Sequence, residues 1–155
     1  MRRVRTLTLA LVPVITLAAL LAFLPAAGAL AAGKTHHVAI HVDQNDPKVM
    51  NMALNNARNV DAYYKSIGDE VVIELVAYGP GLNMYIPGKS PVEDRISMMA
   101  MEMPNLSFAA CGNTLRAMSS KAGHDIELIE EARVVPSGVV RLIELQEQGY
   151  AYVRP

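Results

Sequence analysis

The sequence predicts a single α/β domain with a mainly parallel sheet and helices on both faces. Three observations carry this. Short apolar, β-branched runs alternate with helical patterns along the chain after residue 31. The connections between them are short, as consecutive strand–helix units require. Glu70 to Tyr78 (EVVIELVAY) is almost continuously apolar, which suits a strand covered on both faces.

The elements follow in order. His36 to Val42 reads as a strand bounded by Asp43 to Asp46. Asp46 is an N-cap with Pro47 at the first helical position; Val49, Met52, Ala53, Asn56, Val60 and Tyr63 then recur at helical spacing, and Gly68 stops the helix. After the second strand, Gly79 to Lys89 reads as a loop. Ser90 to Glu93 has the pattern of a capping box with proline at N1, opening a helix to about Glu102. Leu106 to Ala110 is the third strand and ends at Cys111. Gly112 to Thr114 opens a helix towards Ser120, and a further helical stretch is expected over Asp125 to Glu131. Arg133 to Val135 is a brief strand, Ser137 caps a helix through Gln148, and Tyr150 to Arg154 is the last strand.

Residues 1–31 stand apart. Met1 to Arg5 (MRRVR) is positive, Thr6 to Leu24 is apolar, and Ala29 and Ala31 occupy the −3 and −1 positions of an A-x-A site. This is a secretory signal peptide with cleavage expected after Ala31, leaving one domain over 32–155 in the periplasm or secreted. About 20 apolar residues also suffice to span a bilayer, so a retained anchor is the alternative, and only then would the protein meet the membrane.

The N-terminal stretch explains the composition, 52% hydrophobic and 19% charged, because no charged side chain occurs from Thr6 to Gly33. Of 14 basic side chains, three (Arg2, Arg3 and Arg5) belong to the leader, so the remaining body is acidic by four. An acidic body with no basic block is not a nucleic-acid binder. One cysteine excludes an internal disulfide.

In open α/β sheets function gathers at the C-terminal strand ends, here Asp43 to Asn45, Tyr78 to Gly81, Cys111 to Thr114 and Val135 to Gly138. Cys111 is the sharpest candidate. It lies where an apolar strand meets a helix start, with Gly112 keeping the turn open and the N–H groups around Asn113 and Thr114 available to an anion. Such surroundings populate a thiolate, which can attack, bind soft metal or carry sulfane sulfur. A buried cysteine acting as a small hydrophobe is the plain alternative. Tyr78 and Gly79 open a Gly-Pro-Gly segment that fits either an anion-accepting nest or a turn.

Other constellations are weaker. His37 and His41 share a face but lie roughly 13 Å apart along a strand, too far for one metal with bonds near 2 Å. Met98 and Met101 share one helix face, Met99 and Met103 another, so four soft ligands do not converge and core filling accounts for them. Asn56 falls on the apolar stripe, where its amide is expected to bond across a subunit or to a loop. No GxGxxG, Walker A, GxSxG or HExxH pattern occurs, and the sequence calls for no cofactor or metal.

Four segments in order, Val76 to Gly81 (VAYGPG), Phe108 to Thr114 (FAACGNT), Val135 to Val139 (VPSGV) and Gln148 to Pro155 (QGYAYVRP), together with Asn55 to Val60 (NNARNV), resemble the DsrE/DsrF-like family. The resemblance covers the whole mature domain. It implies a flavodoxin-like layout and a homotrimer or homohexamer. In the sulfur-relay branch it implies sulfur carried as a persulfide on a cysteine at the end of a central strand, the position Cys111 occupies. That branch is cytoplasmic, whereas this chain carries an export pattern, so its sulfur donor and acceptor would differ. Two functions follow: a thiol-based sulfur carrier or sulfurtransferase-like protein using Cys111, supported by Gly112, Asn113, Thr114, Tyr78 and Gly79, or a non-catalytic homo-oligomeric binding module with a structural cysteine.

Overall fold

The computed structural model describes residues 33–155. The signal peptide read over residues 1–31 lies outside the described residues.

Five strands, β1 (Thr35–Val42), β2 (Glu70–Ala77), β3 (Leu106–Cys111), β4 (Ala132–Val135) and β5 (Ala151–Val153), form one sheet in the order β4-β3-β2-β1-β5. Every pairing is parallel. Helices α1 (Pro47–Ser66), α2 (Glu93–Glu102), α3 (Gly112–Ala122) and α4 (Gly138–Glu147) connect them, with a 3-10 helix over Gly79–Tyr85. The layout is flavodoxin-like, as expected.

Strand alternation divides the core into two. Val38, Ile40 and Val42 of β1, Ile73, Leu75 and Ala77 of β2, and Leu106, Phe108 and Ala110 of β3 face α1, α2 and α3. The opposite face carries Ala39, Val76, Ala109 and Val135, and these pack on Leu142 and Leu145 of α4. Three helices therefore cover one face and one covers the other. A right-handed crossover explains why. The chain winds β1 to β4 in one direction, keeping α1 to α3 on the first face, and α4 lands on the second when the chain returns to β5 beside β1. Midway along β2, buried Glu74 accepts from Arg141 Nε and Nη2, both at 2.7 Å, and pairs with Arg133 at 2.6 Å. Two guanidiniums thus supply the hydrogen bonds that burial denies this carboxylate from water. The clamp fastens α4 and β4 to the sheet centre.

Local signals held in some places and yielded in others. Asp46 caps α1 as expected, accepting from the Lys48 N–H at 2.7 Å. The buried stripe of α1, however, is Met50, Ala53, Leu54, Ala57 and Asp61, rotated from the expected one, and Met52 and Tyr63 are exposed. Asp61 occupies an inner position because Asn105 Nδ2 at 2.7 Å and Lys65 Nζ at 2.8 Å satisfy its carboxylate. Asn56 lies beside this stripe, and Asn51 and Asn55 accept from Arg95 of α2. The capping box at Ser90 does not form. The Ser90 hydroxyl donates to the Met84 carbonyl at 2.6 Å, Glu93 accepts from the Gly88 N–H at 3.0 Å, and α2 starts at Glu93. Residues 125–131 are not helical. Their N–H groups are taken from outside, Ile126 by the Ser119 hydroxyl at 3.1 Å and Ile129 by the Tyr85 carbonyl at 2.9 Å. The expected loop after β2 begins with the 3-10 helix. Met99 and Met103 fill the core, while Met98 and Met101 are exposed.

Candidate functional site at the switch between β3 and β4

β3 leads into α3 on the first face, and neighbouring β4 leads into α4 on the second. The winding reverses between two adjacent strands, and that reversal opens a crevice at their C-terminal ends. Cys111 ends β3 there, and Ser137 and Gly138 open α4 on the far side.

Cys111 is the N-cap of α3, its sulfur accepting from the Thr114 N–H at 3.5 Å. The Gly79 N–H donates to the Thr114 hydroxyl oxygen at 2.9 Å, which leaves the hydroxyl proton free for the sulfur. Burial pushes the thiol pKa up. The Thr114 hydroxyl and the N–H groups of Gly138, Thr114 and Asn113 pull it down further, so the group ionises below its ordinary value. The N-termini of α3 and α4 thus converge on one sulfur, each adding the positive end of a helix dipole.

Two glycines make this approach possible. A Cβ on Gly138 would stand 2.9 Å from Tyr78 Cβ and 3.1 Å from Cys111 Cβ, and one on Gly112 would stand 3.0 Å from the Val135 carbonyl oxygen. A side chain at Gly138 would force its neighbours to shift, and one at Gly112 would be tight.

Continuing the sheet register past Val42, Ala77 and Ala110 aligns Asp43, Tyr78 and Cys111 across the C-terminal edge, on the α4 face. Tyr78 stacks on His41, with ring centroids 4.5 Å apart and planes at 24°. His41 Nδ1 pairs with the Tyr152 hydroxyl at 2.7 Å, and Arg154 of the segment after β5 holds Asp43 with donors at 2.7 and 3.1 Å on its two oxygens. Burial, then Asp43 and Tyr152, raises the Tyr78 pKa. His41 is 4% exposed and its Nε2 has no partner among the described residues. A buried polar atom left in that state costs about 1–3 kcal/mol.

Burial pushes the His41 imidazole below its ordinary pKa; Asp43 works against this and Arg154 with it. The unfolded chain takes up this proton near pH 6.5 and the folded protein only at lower pH. Between the two the unfolded state binds more protons, so stability falls as pH falls through that interval and levels off below it. Urea midpoints between pH 7 and 5 are expected to drop, and His41→Phe, which keeps the stacked ring, is expected to flatten this dependence. An unchanged slope in the variant would assign the acid loss to other groups.

All six residues singled out from sequence meet in this crevice: Cys111, Gly112, Asn113 and Thr114 on β3–α3, Tyr78 and Gly79 after β2. Gly138 lay in a strand end named from sequence, but its N–H could be directed at the thiol only through the β3–β4 adjacency. His41, Tyr152 and Arg154 carry no sequence signal for this role. His36 points to the other face, where it pairs with Asp69 at 2.9 Å and stacks on Tyr64. Among the described residues no three His, Cys, Asp or Glu side chains gather as metal ligands.

Fold and site define a small parallel α/β protein with a buried thiol among helix N-terminal N–H groups at its switch point. The chain is similar to the protein of unknown function MTH1491 from Methanobacterium thermoautotrophicum, with 34% identity, a TM-score of 0.66, and coverage of 77% of this chain and 99% of that one. At that identity and coverage the chain belongs to the same family as MTH1491. No protein-family model and no curated protein matches the chain.

Proposed function

We propose that the protein is a thiol-based sulfur carrier, sulfurtransferase-like in its chemistry, which holds sulfane sulfur as a persulfide on Cys111. The observation that carries this reading is the convergence of two helix N-termini on one sulfur. A thiolate is the attacking species in sulfur transfer, and the same N–H groups stabilise the persulfide anion that results. The resemblance of the VAYGPG, FAACGNT and VPSGV segments to the DsrE/DsrF-like family supports it, since these segments supply Tyr78, Cys111 and Gly138. The export pattern read over residues 1–31 supports placing this carrier in the periplasm or beyond. The test is the pH dependence of Cys111 alkylation together with intact mass before and after exposure to a sulfane donor. An inflection below the ordinary thiol value and a gain of one sulfur atom are expected.

One observation favours the second reading, a homo-oligomeric binding module with a structural cysteine: Cys111 is only 4% exposed. An unshifted alkylation profile with no sulfur adduct would put that reading first. Self-association belongs to both. Val139, Val140 and Ile143 on the outer side of α4 are half exposed, and we propose that a second copy covers them. Sedimentation at micromolar concentration is expected to give a trimer or hexamer; a monomer would overturn this.

A further inference from the structure

We infer that Glu74 is a positioning residue for the Cys111 site: through Arg133 and Arg141 it holds both ends of the β4–α4 connection and so sets where the first turn of α4 meets the cysteine. The inference rests on the reading of Cys111 as a working thiol and adds a residue that serves it without touching it. In the β2–β3 register Glu74 stands opposite Ser107, and Cys111 lies further on in β3, roughly 13 Å along the strand.

The first argument is what the carboxylate grips. Arg141 of α4 presents a fork to it, Nε on Oε1 and Nη2 on Oε2, both at 2.7 Å, and Arg133 of β4 reaches Oε2 at 2.6 Å. Only residues 134–140 lie between the two arginines. Within that span Val135 pairs with Cys111 in the sheet, and Gly138 packs so close that a Cβ there would stand 3.1 Å from Cys111 Cβ. Both approaches of the β4–α4 unit to the cysteine thus fall between two points tied to one buried side chain.

The second argument is what else holds this end of α4. Its N-cap, Ser137, makes no side-chain capping bond, and within α4 only Gly138, Leu142 and Leu145 are buried. The two leucines pack on the sheet from the middle of the helix onwards. Arg141, whose N–H closes the first helical turn on the Ser137 carbonyl at 2.9 Å, is the first side chain of α4 to bond to the sheet.

The third argument is chemical. Apolar side chains could join these layers without desolvating three charges, and exchanges of that kind are often neutral or stabilising. What apolar contact does not supply is direction. A guanidinium fork on a carboxylate fixes distance and angle together. A helix whose first turn must stand at one place beside a sulfur needs both.

The experiment reads the pH profile of Cys111 alkylation in the full chain and in two variants, Arg141→Lys and Glu74→Gln. Lysine keeps the positive charge and loses the fork. Glutamine keeps the shape and removes a negative charge, which by itself would favour the thiolate and lower the midpoint. Release of α4 acts the other way, because the Gly138 N–H withdraws from the sulfur. The midpoint is expected to rise in both variants by about 0.5–1 pH unit, with alkylation at neutral pH slowed roughly three- to tenfold. A purely structural role would lower the urea midpoint and leave the profile where it was. An unchanged or lowered profile in either folded variant would overturn the inference, and if one variant does not fold the other decides. The parent chain separates this from the wider reading: an ordinary thiol profile there, with no sulfur adduct, would overturn the carrier reading and this inference with it.

Discussion

Cys111→Ser is expected to abolish sulfur loading and alkylation while leaving the fold intact. Serine is smaller than cysteine and is among the best N-cap residues, so its hydroxyl takes over the Thr114 N–H that the sulfur accepts. Helix α3 should start as before, and the exchange at this buried position should cost about 0.5–3 kcal/mol, leaving the protein folded. The chemistry cannot survive. A serine hydroxyl does not ionise near neutral pH under these donors and cannot hold a second sulfur. The chain has one cysteine, so no other thiol can mask the result. Intact mass after donor treatment is the measurement, with a circular dichroism melt alongside. An adduct of one sulfur atom on the serine variant would remove Cys111 from the mechanism.

Gly138→Ala separates helix propensity from site geometry. At an ordinary helical position the exchange stabilises by roughly 1 kcal/mol. Here the new methyl would stand 2.9 Å from Tyr78 Cβ, 3.0 Å from Tyr78 Cδ1 and 3.1 Å from Cys111 Cβ, so α4 must draw back from the sheet edge. Overpacking of this kind costs about 1–3 kcal/mol, enough to reverse the sign of the propensity gain. Retreat also lengthens the Gly138 N–H contact to the sulfur. Burial then weighs more heavily and the thiol pKa rises. Each unit of rise lowers the thiolate fraction at neutral pH, and with it the alkylation rate, roughly tenfold. Urea unfolding and the alkylation profile measure the two effects separately. A more stable variant with an unshifted profile would mean that α4 does not serve the thiol.

Much of this arrangement was legible in the sequence because it is local. Cys111 as the last strand residue before a helix start is a nearest-neighbour pattern, as are Thr114 three positions on and Gly79 after a strand. The alternation of strands and helices was legible for the same reason. What was not legible depends on partners far along the chain. Asp61 sits on the inner face of α1 because Asn105 reaches it, so the apolar stripe looked rotated. Ser90 has the form of a capping box, but its oxygen accepts from the Val92 N–H and not from that of Glu93, and the Glu93 carboxylate turns to the Gly88 N–H. Residues 125–131 have a composition that suits a helix, yet Tyr85 and Ser119 take their N–H groups first. At the site, the Gly138 N–H meets Cys111 only because β4 lies beside β3, and His41 meets Tyr152 only because β5 crosses back to β1. No spacing rule within one segment encodes either meeting.

The placement of β5 bears on how the protein is made. It is the last element in chain order, yet it pairs with the first, and the bonds that fasten it, His41 to Tyr152 and Asp43 to Arg154, each join residues 111 positions apart. Such contacts are the slowest to close. Until β5 is synthesised and docked, the outer edge of β1 shows unpaired N–H and C=O groups along Val38 to Ile40, with His41 unpartnered at both nitrogens. A growing chain therefore passes through a stage in which an apolar strand edge is open to a neighbouring chain, and a chaperone that shields this edge would act on the very strand that later carries His41 and Asp43.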